Sequence, residues 1–230
     1  MEKHTLAERT AAQLIGMIQE RSYRPGDKLP TEMELAADLN VGRNTVREAL
    51  RLLMSRNIVT VRQGAGTFVS EKNGVADDPL GFGMREDKDR LTRELLQIRV
   101  ILEPPIAGLA AQNAEPEELV RLEGILGEME RLIREKKDYS RADSEFHAQI
   151  AACTHNEVMS DLVPVITEGV RVFASNVQET EYEQTLISHR AIFRAIAERR
   201  PEEARQAMQY HLLYNQYRYV NAQEPGDGKK

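Results

Sequence analysis

The chain has 230 residues, with 31 lysines and arginines against 37 aspartates and glutamates and a formal net charge of −6. This length is enough for two domains of ordinary size, each with its own hydrophobic core. The single cysteine excludes an intrachain disulfide, and the sequence shows neither a signal peptide nor an apolar run of transmembrane length. We therefore expect a cytoplasmic protein with no membrane partner.

An amphipathic helix is predicted from about residue 6 to residue 21, because apolar side chains recur there at helical spacing (Ala11, Leu14, Ile15 and Ile18). A second helix is predicted from Pro30-Thr31-Glu32 to about Leu39. Thr31 can cap its free backbone N–H groups, and Glu32 and Glu34 lie at the positive end of its dipole.

A third helix is predicted after the turn at residues 40–42. Its residues Val46, Leu50 and Leu53 recur every three or four positions and predict a buried stripe. Two short helices joined by a glycine-bearing turn are typical of a helix-turn-helix. Its second helix would enter the DNA major groove, where arginine pairs with guanine and Asn or Thr meets base edges or phosphates. The polar residues on its other faces are Arg43, Asn44, Thr45, Arg47 and Arg51.

Two β-branched runs, residues 58–62 and 67–69, flank Gln63-Gly64-Ala65-Gly66 and predict a β-hairpin. A hairpin directly after a helix-turn-helix is a wing. Residues 40–72 contain six basic and two acidic side chains, whereas residues 73–230 contain 20 basic and 28 acidic ones. The basic segment suits DNA phosphates, and the acidic remainder does not.

The stretch LPTEMELAADLNVGRNTVREALRLLMSRNIVTVRQGAGTFV resembles the N-terminal domain of GntR-type bacterial transcription regulators, whose pattern includes LP(S/T)E, TVREAL and a final GTFV. The resemblance implies that Arg43, Thr45, Arg47 and the wing-tip Gly66 contact a double-stranded DNA operator. The chain departs from the family where Arg, Ser and Gly are usual, at Met33, Gly42 and Asn57. In the alternative interpretation, Arg43 and Arg47 form only a solvated or Glu48-paired helix face.

The predicted domains are a winged helix-turn-helix at residues 1–70, a linker at 71–89, and an all-α antiparallel helical bundle at 90–222, followed by a disordered tail at 223–230. The fold class is therefore mainly α. Prolines at positions 104, 105 and 164 fall inside predicted helices and predict kinks or breaks. The helices predicted in the bundle span about 90–113, 116–136, 138–153, 156–179, 182–198 and 201–221.

Asp143 and His147 are four residues apart, on one face of one predicted helix. His189 and His211 each lie among apolar residues on later helices, so both are candidates to point inward. One carboxylate and three imidazoles from three helices form a set of ligands suited to a divalent transition metal. Any one of these histidines alone would more often be a core or surface residue.

The C-terminal part resembles the FCD ligand-binding domain of the FadR subfamily of GntR regulators. The resemblance rests on LLQIRVILEP at residues 95–104, on Asn156, and on the Asp-x3-His motif with its two later histidines. The first of these lies 42 residues after the motif's histidine, and the second lies 22 residues after the first. It implies that Asp143, His147, His189 and His211 bind a metal. Zinc is the favoured ion, and nickel and manganese are also compatible with these ligands.

Protein ligands of this number leave positions open on an octahedral ion, where a small carboxylate effector could chelate. Arg99, Arg171 and Asn176 are the candidate effector-binding residues. The alternative for Arg99 is an ion pair with Glu103, one turn along a helix surface.

The sequence therefore predicts a ligand-responsive transcription regulator, by family default a repressor. It would bind a palindromic operator as a homodimer, with a sugar acid or other organic acid as its effector. Two alternatives remain at this point: a DNA-binding regulator whose metal is purely structural, and a metalloenzyme.

Overall fold

The structure is a computed structural model of the chain, and it describes residues 4–72, 74–76, 78–173 and 182–223. The chain divides into two compact units, residues 1–80 and 81–230. The predicted mainly α fold with one small β-hairpin is confirmed. Within the described ranges, every helix is too short or too polar to cross a lipid bilayer.

Three helices open the first unit: α1 (Leu6–Glu20), α2 (Glu32–Asp38) and α3 (Arg43–Ser55). The predicted cap of α2 is present. Thr31 Oγ1 accepts a hydrogen bond from the Glu34 backbone N–H at 3.3 Å, and the Glu34 carboxylate accepts one from the Thr31 N–H at 2.7 Å. This reciprocal pair satisfies N–H groups that the start of a helix otherwise leaves unpaired.

The predicted buried stripe of α3 is the centre of the first core. Val46, Leu50 and Leu53 are 0%, 4% and 0% exposed. They pack in one cluster with Leu14 of α1 and Leu35 of α2. Because this face of α3 is fixed against α1 and α2, its polar residues are held on the outer surface.

The predicted wing is also present, as an antiparallel pair of strands, β1 (Val59–Arg62) and β2 (Gly66–Val69). Lys28 forms an isolated bridge to Phe68 beside it. Gly66 has a φ of +117°, and a Cβ atom there would lie 2.9 Å from Lys28 Cε. The backbone conformation therefore favours glycine at position 66, whereas the flexible Lys28 side chain could move away from an added Cβ.

In the described residues of the second unit, all the regular secondary structure is helical. A short 3₁₀ helix (Phe82–Met84) precedes six α-helices, as the sequence predicts for residues after 90. These are α4 (Lys88–Asn113), α5 (Pro116–Arg134), α6 (Ser140–Ala152), α7 (Glu157–Phe173), α8 (Tyr182–Ala197) and α9 (Pro201–Gln223). The predicted end of α7 at 179 lies outside the described residues. The predicted tail is at 223–230; Gln223 belongs instead to α9, and residues 224–230 lie outside the described residues.

The sequence predicts kinks or breaks at three prolines, and the helices are not broken at any of them. Helix α4 continues through Pro104 and Pro105, and α7 continues through Pro164. A proline lacks the N–H that would bond the carbonyl four residues earlier. In α4 both flanks of the proline pair are buried, with Arg99 and Ile106 only 3% and 5% exposed, so tertiary packing holds the helix together.

The segment predicted as a linker contributes one anchor to the second unit. Phe82 packs against a small apolar cluster that contains Leu91, Leu95 and Ile166. A Cβ atom at Gly169 would come within 2.9 Å of Leu95 and 3.0 Å of Phe82, so the absence of a side chain there permits the contact.

The main core of the second unit supports the inward-facing histidines. Its apolar members include Phe146, Ile192 and Leu212, which are 0–1% exposed. The first adjoins His147 in the sequence, the second follows His189 by three residues, and the third adjoins His211. The packing of these apolar neighbours therefore fixes the helix faces from which the three imidazoles project.

Candidate DNA-binding surface and metal centre

The start of α3 presents the polar surface that the sequence predicts for DNA contact. Arg43, Asn44 and Arg47 are exposed, and Thr45 is half-buried. The preceding Gly42 provides no side-chain hydrogen bond to the helix start. The first-turn N–H groups and the positive end of the helix dipole are therefore open to a phosphate oxygen. On the wing, Gly66 is also exposed.

Arg47 has a carboxylate partner that sequence inspection missed. Its Nε and Nη2 donate to the two oxygens of Glu32 at 3.3 and 2.8 Å, which joins the two helices of the helix-turn-helix. The hydrogen bond from Arg47 lowers the pKa of the Glu32 carboxyl. The predicted alternative partner, Glu48, pairs instead with Arg51 at 2.6 Å. Since arginine has five N–H donors, the pair with Glu32 leaves three for base edges or phosphates.

The second unit brings the four predicted metal ligands together. One ligand atom from each of Asp143, His147, His189 and His211 lies within 4.8 Å of the others. The three histidines are 0–1% exposed, whereas the Asp143 side chain is 22% exposed. Ligand atoms about 2.0–2.2 Å from one zinc ion in a tetrahedral site lie about 3.4 Å apart. The spread of up to 4.8 Å is wider than this, so the side chains would move inward on binding a metal.

Two ring nitrogens in this cluster, Nε2 of His147 and Nε2 of His189, have no hydrogen-bond partner among the described residues. The other nitrogen of His147, Nδ1, faces the Glu103 carboxylate at 2.5 Å. His189 Nε2 lies 3.0 Å from Asp143 Oδ1 without the alignment of a hydrogen bond. His189 Nδ1 lies 2.8 Å from the Thr185 carbonyl oxygen, so Nδ1 carries the proton and Nε2 carries a lone pair. A lone pair facing a carboxylate oxygen is repulsive unless a cation or a proton lies between them.

The electrostatics of the cluster favour metal-binding protonation states. Burial lowers the pKa of His147, and burial together with the neighbouring histidines lowers that of His211 well below its usual value. Burial would raise the pKa of Asp143, but a hydrogen bond from His189, when that ring is protonated, and the positive charge of Arg99 outweigh it and hold that pKa below its usual range. Neutral imidazoles and an ionised carboxylate are the forms that bind a metal.

Beside this cluster lies a buried chain of charges, Arg99–Glu103–His147. Arg99 Nε donates to Glu103 Oε1 at 2.5 Å, and Glu103 Oε2 is 2.5 Å from His147 Nδ1. Burial would raise the pKa of Glu103, but the charge of Arg99 and the contact with His147 lower it to about 2. The predicted Arg99–Glu103 pair therefore exists, but in the interior rather than on a helix surface. Sequence inspection named Glu103 only as a surface partner of Arg99 and missed its contact with His147.

Of the other two candidate effector residues, only Arg171 lies in the described part of the chain, and its described ion pair is with Glu168 rather than with the cluster. Arg171 is 34% exposed in its side chain and pairs with Glu168 at 2.6 and 2.5 Å. Asn176 lies outside the described residues. His155, which is not part of the cluster, has a φ of +56° and contacts Glu118 at 3.0 Å.

The residues present fit a divalent transition metal. Imidazole nitrogens suit zinc and nickel, and a carboxylate oxygen is compatible with both and with manganese. The orphaned nitrogens of His147 and His189 are buried polar atoms that a metal would satisfy.

A winged helix-turn-helix joined to an all-helical domain defines a class of DNA-binding regulators. Residues 6–69 match the family described as bacterial regulatory proteins, gntR family, and residues 94–214 match the FCD domain. The chain therefore belongs to the GntR family of transcription regulators, in its FadR-like subfamily with an FCD domain. It is a DNA-binding regulator of transcription rather than an enzyme, which rules out the metalloenzyme alternative.

Relatives in this family include regulators of named operons. The galactonate operon transcriptional repressor of Escherichia coli K12 is 31% identical over 80% of this chain and 84% of its own length. The Uxu operon regulator of Haemophilus influenzae is 32% identical over 85% of this chain and 74% of its own length. A solved structure, Streptococcus agalactiae GntR, is 41% identical, covers 92% of this chain and 99% of its own, and superposes with a TM-score of 0.80.

Proposed function

We propose that this protein is a repressor whose FCD domain holds one divalent transition metal, and that a small carboxylate bound at the metal lowers operator affinity. The observation that carries the proposal is the group of four ligand atoms within 4.8 Å of one another. The orphaned nitrogens on two of the histidines strengthen it. A bound metal would supply positive charge and open coordination positions for an anion.

A carboxylate is the favoured effector because a bound metal would place positive charge in the part of the chain that is otherwise acidic. Residues 73–230 carry 20 basic and 28 acidic side chains, so their mean field repels anions. Arg99 is a buried cation whose charge acts on Asp143, so it is close enough to the cluster to assist. A relative is named as the repressor of a galactonate operon, and galactonate is a sugar acid.

Zinc is the favoured metal, because three imidazoles and one carboxylate are typical zinc ligands. Nickel and manganese are the alternatives, and manganese is the less favoured because it prefers oxygen ligands.

On DNA, two copies of the chain would bind a palindromic operator as a homodimer. Each copy would place the start of α3 in one major groove, with Arg43, Asn44, Thr45 and Arg47 towards base edges and phosphates. Gly66 would bring the wing to the adjacent backbone. The basic segment at residues 40–72 supports this orientation.

A purely structural metal is the second candidate. It is favoured by the burial of the three histidines, which are 0–1% exposed and leave Asp143 as the most accessible ligand. In that case the metal would stabilise the domain without binding an effector.

The experiment that separates the two candidates is an operator-release screen. Fluorescence anisotropy of labelled operator DNA is followed while sugar acids and hydroxy acids are added to metal-loaded and to chelated protein. The proposal predicts release by particular acids from the metal-loaded protein alone. If the metal raises the thermal midpoint and no acid releases DNA, the metal is structural.

A further inference from the structure

One side chain next to the cluster has a hydrogen-bond arrangement that neither the family match nor the proposed function assigns. Ser188, on α8, is 5% exposed. Its hydroxyl lies 2.9 Å from the Thr185 carbonyl oxygen and 2.9 Å from Nδ1 of His211, 23 residues further along the chain on α9. Ser188 therefore links the helix that carries His189 to the imidazole of another candidate ligand.

The direction of each hydrogen bond follows from the number of protons available. The Thr185 carbonyl can only accept, so the one hydroxyl proton of Ser188 goes to it. The Ser188 oxygen then accepts from His211, which places the imidazole proton on Nδ1.

The contact on the opposite side of the His211 ring independently indicates the same tautomer. The amide Nδ2 of Asn215, a donor, lies 3.1 Å from His211 Nε2. A donor facing Nε2 requires a lone pair there, so the proton must again be on Nδ1. A metal bound at this lone pair would take the place of Asn215. Both neighbours of His211 thus select a single tautomer.

We propose that Ser188 is a positioning residue that holds His211 as its Nδ1–H tautomer and so directs the Nε2 lone pair towards the metal. The inference rests on the proposed metal site. Partners of this kind, on the far nitrogen of a metal-binding histidine, fix its tautomer and ring orientation and raise its basicity. Thr185 completes the arrangement, because the same carbonyl accepts from His189 Nδ1 at 2.8 Å. One backbone oxygen therefore sets the tautomers of two of the four ligands.

If the Ser188 hydroxyl served only to bond a carbonyl of its own helix, its contact with His211 would have no role. Thr92 provides the comparison within the same unit. It is 0% exposed, and its hydroxyl donates to the Lys88 carbonyl at 2.8 Å. No histidine contact is recorded for it among the described residues. Thr92→Val is therefore a control that removes a buried, back-bonded hydroxyl away from the candidate ligands.

The test uses the full-length Ser188→Ala, Ser188→Thr and Thr92→Val proteins. Zinc affinity is measured by competition with a chromophoric chelator at pH 7.5. The tautomer of each histidine in the chelated proteins is read from nitrogen-15 chemical shifts of labelled imidazoles. Thermal midpoints without metal report any loss of stability.

We expect Ser188→Ala to weaken zinc binding by about 10- to 100-fold. It should also move the His211 nitrogen shifts away from the Nδ1–H pattern while leaving those of His189 unchanged. Ser188→Thr should restore the wild-type tautomer, and Thr92→Val should bind zinc as the wild type does.

The inference is overturned if Ser188→Ala keeps the His211 tautomer, or if its zinc affinity matches that of wild type or falls only as much as that of Thr92→Val. Failure of the proposed function looks different. The wild-type protein would then bind no zinc, and the imidazole shifts would still decide whether Ser188 sets the tautomer.

Discussion

Replacing Arg47 with alanine tests the assignment of α3 as the recognition helix. The Arg47 and Glu32 side chains are 47% and 32% exposed, and an ion pair at that exposure contributes little to stability. The larger expected effect is on DNA. A bidentate arginine–guanine contact discriminates by about 5- to 150-fold in affinity, so two half-sites in a dimer give roughly 30- to 20,000-fold.

The matched control is Arg21→Ala. Arg21 lies in the same unit, pairs with Asp38 at 3.2 Å, and the two side chains are 52% and 43% exposed. Operator binding is measured by fluorescence anisotropy at fixed physiological salt, alongside a DNA of unrelated sequence. We expect Arg47→Ala to lose operator affinity while both variants keep the wild-type thermal midpoint to within a few degrees. Wild-type operator affinity in Arg47→Ala would refute the assignment.

Three further predictions concern the wing and the histidine cluster. Gly66→Ala forces alanine to a φ of +117°, so it should destabilise the first unit by about 1–3 kcal/mol and weaken operator binding. The control Gly16→Ala, with nothing within 4 Å of the added Cβ, should do neither. Equal denaturation midpoints in the two variants would contradict this prediction. The double variant His147→Ala/His211→Ala should bind operator DNA like the wild type but lose acid-induced release, and retention of that release would exclude the proposed site. Burial lowers the folded-state pKa of His147 and of His211. In the chelated protein their full contribution to the free energy of unfolding should therefore be present above about pH 6.5. As the pH falls below about 6.5, that free energy should decrease by up to about 1.4 kcal/mol per pH unit for each histidine. Urea denaturation at pH 7.5, 6.5 and 5.5 measures that slope, and the double variant should flatten it; identical slopes would show that other groups are responsible.

Local features of the fold were predictable because their causes are local. The Thr31 cap, the buried stripe of Val46, Leu50 and Leu53, and the hairpin around residues 63–66 each depend on residues within a few positions. The sequence predicts kinks or breaks at the prolines, and the absence of breaks has the converse cause. Whether a helix tolerates Pro104 and Pro105 depends on packing from other helices, which the local pattern does not contain.

The candidate metal centre was predictable only in part. The spacing of Asp143 and His147 predicts that they share one helix face. Nothing in the sequence pattern itself predicts that His189 and His211 lie beside them; that prediction came from the resemblance to the family's histidine spacing. Arg99 and Glu103 show the remaining limit. The same one-turn pair occurs on helix surfaces and in cores, and only the fold reveals that this one is buried against His147.

Partners that lie far apart in the sequence were missed for the same reason. Glu32 is 15 residues from Arg47, and Ser188 is 23 from His211. No periodicity links such pairs, because each contact depends on how two helices pack rather than on the spacing along either one.

The central claim is that Asp143, His147, His189 and His211 hold a metal at which an acid binds. The most direct measurement is the metal content of protein purified without chelator, followed by a thermal-shift screen of small carboxylates before and after chelation. The account predicts about one equivalent of divalent transition metal per chain and a midpoint raised by particular acids only in the metal-loaded form. Protein that contains no metal and cannot be reconstituted with zinc, nickel or manganese would contradict it.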